Sequence, residues 1–219
     1  MEGSTLDVGF IPQPRAALDV LASEISSCRL CDAFGVDVSH MPPINRGVPA
    51  AVLVIGVQPE KNDTQTLRPF SGAAGRQLFR WLNQAGIGVT DSELISRCYF
   101  TTLSKCYSPA NRQVARATKI CYAFLAKEIG LIEPKLCLTL GPEPLSALFK
   151  YTGPLENVVG RAWTEKTLGI ELFGVFPADC TVVPLPSPSP SSRWLNDVEN
   201  QERLQAAIAI VGERFAGQV

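Results

Sequence analysis

GVQPEKNDTQTLRPFSGAAG, residues 56–75, decides how the rest of the chain is read. The apolar run AVLVI, residues 51–55, leads straight into it, and RQLFRWL, residues 76–82, leaves it with helical spacing. That order is a buried strand, a loop rich in Gly and Pro, and a helix. In an open α/β sheet, ligands bind where loops leave the carboxyl ends of the strands. The loop carries three polar candidates, Gln58, Glu60 and Asp63, and one aromatic, Phe70. Small residues at the start of the helix let a backbone or a phosphate come close. The competing reading is an ordinary connection with surface polar residues. The length of the loop favours a site, because long βα connections tend to be functional.

The flanking chain repeats the pattern. Residues 14–26 place Ala, Leu and Ile at helical spacing and predict a helix within an N-terminal extension over 1–27. Apolar runs predict further strands at 98–103, 135–140, 170–176 and 181–185. Helical spacing predicts helices at 75–85, 113–129 (closed by Gly130), 141–148 and 196–215. Strand and helix in alternation imply the α/β class, here a three-layer α/β/α arrangement around a mainly parallel sheet of four or five strands. The expected organisation is one domain over 1–219. PLPSPSPSSRW, residues 184–194, follows a buried strand and reads as a rigid loop.

Composition narrows the function classes. The chain has 219 residues, 46% of them hydrophobic, which is enough for a full core. A net charge of -1 gives no global basic field, so nucleic-acid binding requires a local patch. No apolar run has the length of a membrane span, and the first residues lack the basic and hydrophobic regions of a secretory signal. A cytoplasmic protein without membrane attachment is expected. Its seven cysteines then point to metal, catalysis or burial rather than disulfides. Cys98, Cys137 and Cys180 sit at apolar strands and read as small buried hydrophobes. Cys28 and Cys31 form a CxxC, Cys106 follows the second strand and Cys121 lies inside a helix. Four soft thiolates can hold zinc or an iron–sulfur cluster, and spacing alone does not choose. Arg29 and Lys105 stand ready to offset their charge.

With these residues assembled, the chain resembles the family 4, iron–sulfur uracil-DNA glycosylases over about residues 28–195. That family has an early CxxC, a strand ending in Gly-x-x-Pro, an acid, then Pro-Phe-x-Gly-x-Ala-Gly. Here these are Cys28 and Cys31, Gly56-Val-Gln-Pro59, Asp63, and Pro69 through Gly75. The family's Lys-Cys, Pro, Asn-Arg and helical Cys are matched by Lys105-Cys106, Pro109, Asn111-Arg112 and Cys121. Its His-Pro-Ser is matched by Leu185-Pro-Ser187. The resemblance implies a [4Fe-4S] cluster on Cys28, Cys31, Cys106 and Cys121, tying loops near the DNA. It also implies a monomer that acts on uracil-containing or abasic DNA.

Uracil excision flips a base into a pocket and breaks its N-glycosidic bond, leaving an oxocarbenium-like sugar and an anionic base. The resemblance makes Asp63 the acid that handles water and the sugar cation. Gln58 is a second candidate to orient water. Phe70 would stack on the base, and Gly56, Val57, Thr102, Leu185 and Ser187 would surround it. Three positions depart from the family pattern. Val57 replaces a Glu, Thr102 replaces the Asn that reads the uracil edge, and Leu185 replaces the His that supports the developing charge. Loss of one such donor typically costs about 10²–10³ in rate. The 185–193 segment is closer to the longer loop of family 1, with Ser189 where that loop carries its wedging leucine and Trp194 as another wedge candidate. The amides of Gly72 and Gly75, with Ser189, are candidate phosphate contacts. Lys105, Arg112, Arg116 and Arg193 are the candidate basic patch. His40, the only histidine, reads as a loop residue. The alternatives are a homologue that binds damaged or abasic DNA without turnover, and a glycosylase for hypoxanthine or xanthine.

Overall fold

The computed structural model describes residues 14–43, 52–109, 111–164 and 175–217. Four strands, β1 (Val52–Gly56), β2 (Cys98–Thr102), β3 (Leu136–Leu140) and β4 (Thr181–Leu185), form a sheet in the order β2-β1-β3-β4. All three pairings are parallel: Val52 faces Cys98 and Leu136, and Leu136 faces Thr181. Every residue of every strand is buried, as a parallel sheet covered on both faces requires. The strand expected over 170–176 falls mostly outside the described residues. Beside β4, Trp163 forms a single antiparallel bridge with Val182.

Alternation along each strand divides the core in two. On one face, Leu53, Ile55, Tyr99, Cys137 and Val182 pack against α1 (Pro14–Ser27), α6 (Asn111–Ile132) and α7 (Pro142–Phe149) through Leu18, Leu125, Ile129 and Phe149. On the other, Val52, Val54, Phe100, Leu138 and Val183 pack against α4 (Ala73–Gln84), α5 (Asp91–Arg97) and α8 (Val198–Ala216) through Leu78, Trp81, Leu94 and Ile208. This is the expected three-layer α/β/α arrangement. Two short helices, α2 (Leu30–Ala33) and α3 (Lys61–Thr66), complete the elements used below.

Several boundaries differ from the expectation. The 56–75 stretch is interrupted by α3. Gly130 does not end its helix: α6 runs on to buried Ile132 and stops at Glu133, whose φ is +47°, one residue before Pro134. Helix α5 was not expected. Its start is a capping box, with the Thr90 hydroxyl accepting from Glu93 N–H and the Glu93 carboxylate accepting from Thr90 N–H. No described helix is long and apolar enough to cross a membrane.

Candidate active site

Strand β1 is central in the sheet, so its carboxyl end opens between β2 and β3. The chain leaves at Gly56, passes Pro59, and enters α3 with Glu60 as N-cap. Helix α3 ends at Leu67, and Leu67 and Phe70 both take positive φ, +53°. Asp63 holds this loop closed. One carboxylate oxygen accepts from Glu60 N–H at 2.9 Å; the other accepts from the N–H and hydroxyl of Ser71 at 2.7 and 2.9 Å. Asp63 is 4% exposed. Gly75 is required by a close approach: a Cβ there would lie 1.6 Å from the Phe70 carbonyl oxygen. The space beside Gly75 is therefore filled by the loop's own backbone rather than held open for a phosphate.

A cavity of about 100 Å³ sits at this strand end, well above the roughly 10–15 Å³ that admits one water. Gly56, Val57, Gln58, Asp63, Phe70, Gly75, Ser187 and Ser189 line it, together with Glu60. Phe70 is half-buried, lies over Gly56, and stacks at a tilt on Phe100 with ring centroids 5.7 Å apart. A larger groove of about 1240 Å³ shares Val57, Gln58, Glu60, Ser187 and Ser189 with the cavity, and is walled by α6 and α7. The small cavity thus lies at the side of a wide cleft.

Other expected residues stand elsewhere. Gln58 is on the cavity, but its amide bonds to the Ser108 backbone at both ends, accepting from N–H at 3.0 Å and donating to the carbonyl at 3.4 Å. Thr102 lies on the β2 side, where its hydroxyl donates to the Ser104 carbonyl at 2.6 Å. Leu185 is 1% exposed and packs in the core with Val183 and Leu138, so its side chain lines neither the cavity nor the groove. The Trp194 indole nitrogen is buried and without a hydrogen-bond partner, and the residue packs on the same core cluster, a poor arrangement for a wedge. Lys105 is also not a surface cation. It is 6% exposed and donates to Glu128 at 2.6 Å, to the Thr101 hydroxyl at 2.6 Å and to the Thr102 carbonyl at 2.8 Å. Arg116 donates to the Phe34 carbonyl at 2.9 Å, tying α6 to the segment after α2. Arg193 is exposed at the start of a 3-10 turn, and Arg112 lies in the first turn of α6, where only its backbone is described.

Of the four expected ligand cysteines, Cys31 and Cys106 share one small apolar cluster, and Cys28 and Cys121 lie near enough to act on them electrostatically. Cys31, Cys106 and Cys121 are buried and Cys28 is half-buried; Val36, Val38, Ala117 and Ile120 pack with Cys31 and Cys106. Burial first, then the neighbouring Cys121 and Cys28 and the charge of Asp32, pushes the Cys31 thiol up to about 11. Burial, followed by Cys121, Cys31 and Cys28, pushes Cys106 up to about 12. Lys105 N–H points at the Cys121 sulfur from 3.5 Å, and the Lys105 charge opposes the upward shift there. Among the described residues, no three His, Cys, Asp or Glu side chains stand close enough to hold a single metal ion. His40 bonds Asp32 at 2.6 Å on the edge of this region, as a loop residue. Cys98 and Cys137 are buried in strands and Cys180 is buried just before β4, as expected.

The profile of the uracil DNA glycosylase superfamily matches residues 46–211. The chain belongs to the uracil-DNA glycosylase superfamily. Among its relatives are two type-4 uracil-DNA glycosylases. That of Saccharolobus solfataricus is 28% identical over 73% of this chain and 73% of its own length. That of Sulfurisphaera tokodaii is 27% identical over 74% and 72%. A third, from Archaeoglobus fulgidus, is 29% identical over 57% of this chain and 60% of its own.

Within the superfamily match, the 56–75 loop and the 181–194 segment meet at the cavity, so residues far apart in sequence share one site. Two features of that region are not evident from the motifs. One is the Lys105–Glu128 pair, hidden because its halves sit on different elements. The other is Glu60, whose spacing to Asp63 is that of a capping box, and this spacing was available as a signal.

Proposed function

We propose that this chain is a DNA repair enzyme, a monofunctional uracil-DNA glycosylase that takes a flipped uracil into the β1-end cavity and hydrolyses its bond to deoxyribose. The observation that carries this reading is the superfamily match over the segments that build the cavity. The names of the type-4 relatives support uracil as the base, and nothing about them favours hypoxanthine, xanthine or a binding-only role. Phe70 would stack on the base, while Gly56, Val57 and Ser187 close around it. Thr102 would act from beneath through its position on β2. Leu185 would shape the core behind the pocket instead of replacing a histidine, so donors to the leaving base would come from the Ser187–Ser189 segment. Asp63 would keep the loop in its reactive shape, and Gln58 would hold the Ser108 backbone. Arg112, Arg193 and Ser189 would meet phosphates along the cleft. Gly72 and Gly75 would contribute through backbone alone. One flipped nucleotide needs one pocket, so a monomer suffices.

Cys28, Cys31, Cys106 and Cys121 would hold a [4Fe-4S] cluster. Three buried thiols and the half-buried Cys28, near enough to act on one another electrostatically, are the soft donor set that an iron–sulfur group takes. Its contribution would be to tie α1, α2, the segment after β2, and α6 together. Reconstituted protein should carry iron and sulfide and show visible absorption; colourless protein with zinc would refute the cluster.

The enzymatic reading is tested with an end-labelled oligonucleotide bearing one uracil, incubated with the protein and then treated with alkali. Strand scission at the uracil is expected, with none at a thymine control. No scission by the cluster-loaded wild type refutes it.

A further inference from the structure

The polar groups of the 56–75 loop are not equivalent. Three donors occupy the Asp63 carboxylate, and both ends of the Gln58 amide are engaged by Ser108. Glu60 is different. It is partly exposed, and it lines both the cavity and the wide groove. Capping α3 takes up one of the roughly four acceptor positions of a carboxylate. Its Oε2 stands where Gly72 lacks a side chain; a Cβ at Gly72 would lie 2.4 Å from it. Gly72 therefore makes room for this carboxylate, and a phosphate at the same place would meet a like charge.

We propose that Glu60 holds the hydrolytic water and accepts its proton, a role that rests on the uracil-excision reading above. The water oxygen bonds to C1′ of the deoxyribose as the C1′–N1 bond breaks, and the bond's electron pair leaves on the uracil anion. The proton lost by water passes to the Glu60 carboxylate and from there to solvent, and the released uracil anion takes up one proton from solvent. The products are free uracil and an abasic sugar, and no atom changes oxidation state by an external agent. The charged groups around Glu60 are Asp63 and Lys61 of its own turn and Arg76 from α4, with Lys119 of α6 and Glu143 of α7 on the shared groove. Burial, then Asp63, raises the Glu60 pKa, and Arg76 opposes them. A raised pKa makes the ionised form a stronger base and moves the acid limb of activity upward from that of a free carboxylate.

The test is single-turnover uracil release by full-length wild type, Glu60→Gln and Glu60→Asp, from acidic to neutral pH, with affinity for uracil-containing DNA measured alongside. A positioned base typically contributes 10²–10⁴-fold. Glu60→Gln should lose about 10²-fold in rate, keep its affinity for DNA, and lose the acid limb. Glu60→Asp should recover part of the rate and retain an acid limb. Glu60→Gln that matches an active wild type in rate and acid limb overturns the role of Glu60 alone. If Glu60→Gln is misfolded, a Glu60→Asp profile with no acid limb overturns it equally. A wild type that releases no uracil overturns both this role and the reading beneath it.

Discussion

The loop at 56–75 and the loop at 186–193 meet at one cavity but are held by different means. The first is cross-tied to itself: Asp63 joins Glu60 to Ser71, and the Phe70 carbonyl fills the space at Gly75. The second is held by proline stiffness and light hydroxyl contacts, with Ser189 and Ser191 hydroxyls 2.9 Å apart and Ser189 N–H 3.4 Å from the Ser187 hydroxyl. The acidic half of the site is rigidly specified, and the hydrogen-bond-donating half is not. On the second side, Leu185 faces the core and brings no polar group to the cavity.

This contrast makes the first loop brittle and the second tolerant. Gly75→Ala should have the largest effect. Its Cβ would collide with backbone, so we expect uracil excision to fall more than about 10²-fold and stability to fall by about 1–3 kcal/mol, read by urea unfolding; near-wild-type values would show that the loop is not rigid. Asp63→Asn comes next. An amide cannot accept all three of the present donors, so unfolding should be easier by about 1–3 kcal/mol, with a parallel loss of turnover. Full stability with selective loss of turnover would instead make Asp63 a chemical group. Leu185→His should place a polar ring in the core, costing about 1–3 kcal/mol with no gain in rate. A faster enzyme would show that position 185 does reach the base. Ser189→Ala should be smallest, within about 0.5 kcal/mol in stability, with a modest loss in DNA affinity that high salt reduces further.

Much of the fold was legible in the sequence because buried parallel strands read as short apolar runs. Strands β1, β2, β3 and β4 fall within a residue of the expected bounds, and α1 and α4 nearly so. What escaped depends on contacts that periodicity does not encode. A helical Gly costs about 1 kcal/mol relative to Ala, yet α6 continues through Gly130 because Ile132 and Ile129 are buried beyond it. Helix α5 buries only Leu94, so its apolar signal is weak and its capping box was the better clue. At the site, Gly56, Phe70 and Ser187, which the motif singles out, line the cavity. Lys105 looks like a DNA contact in the sequence because its partner, Glu128, lies a helix away; losing one member of such a buried pair costs about 3–5 kcal/mol. The burial of Leu185 follows from strand alternation, since it continues the face of Val183, but the motif drew attention away from that pattern.

The central claim is that this cavity releases uracil from DNA. The most direct measurement is the appearance of free base from DNA carrying radiolabelled uracil, with thymine-labelled DNA in parallel. The account predicts free uracil in step with abasic sites and no free thymine. Protein carrying its cluster that binds the uracil DNA yet releases no base would contradict it.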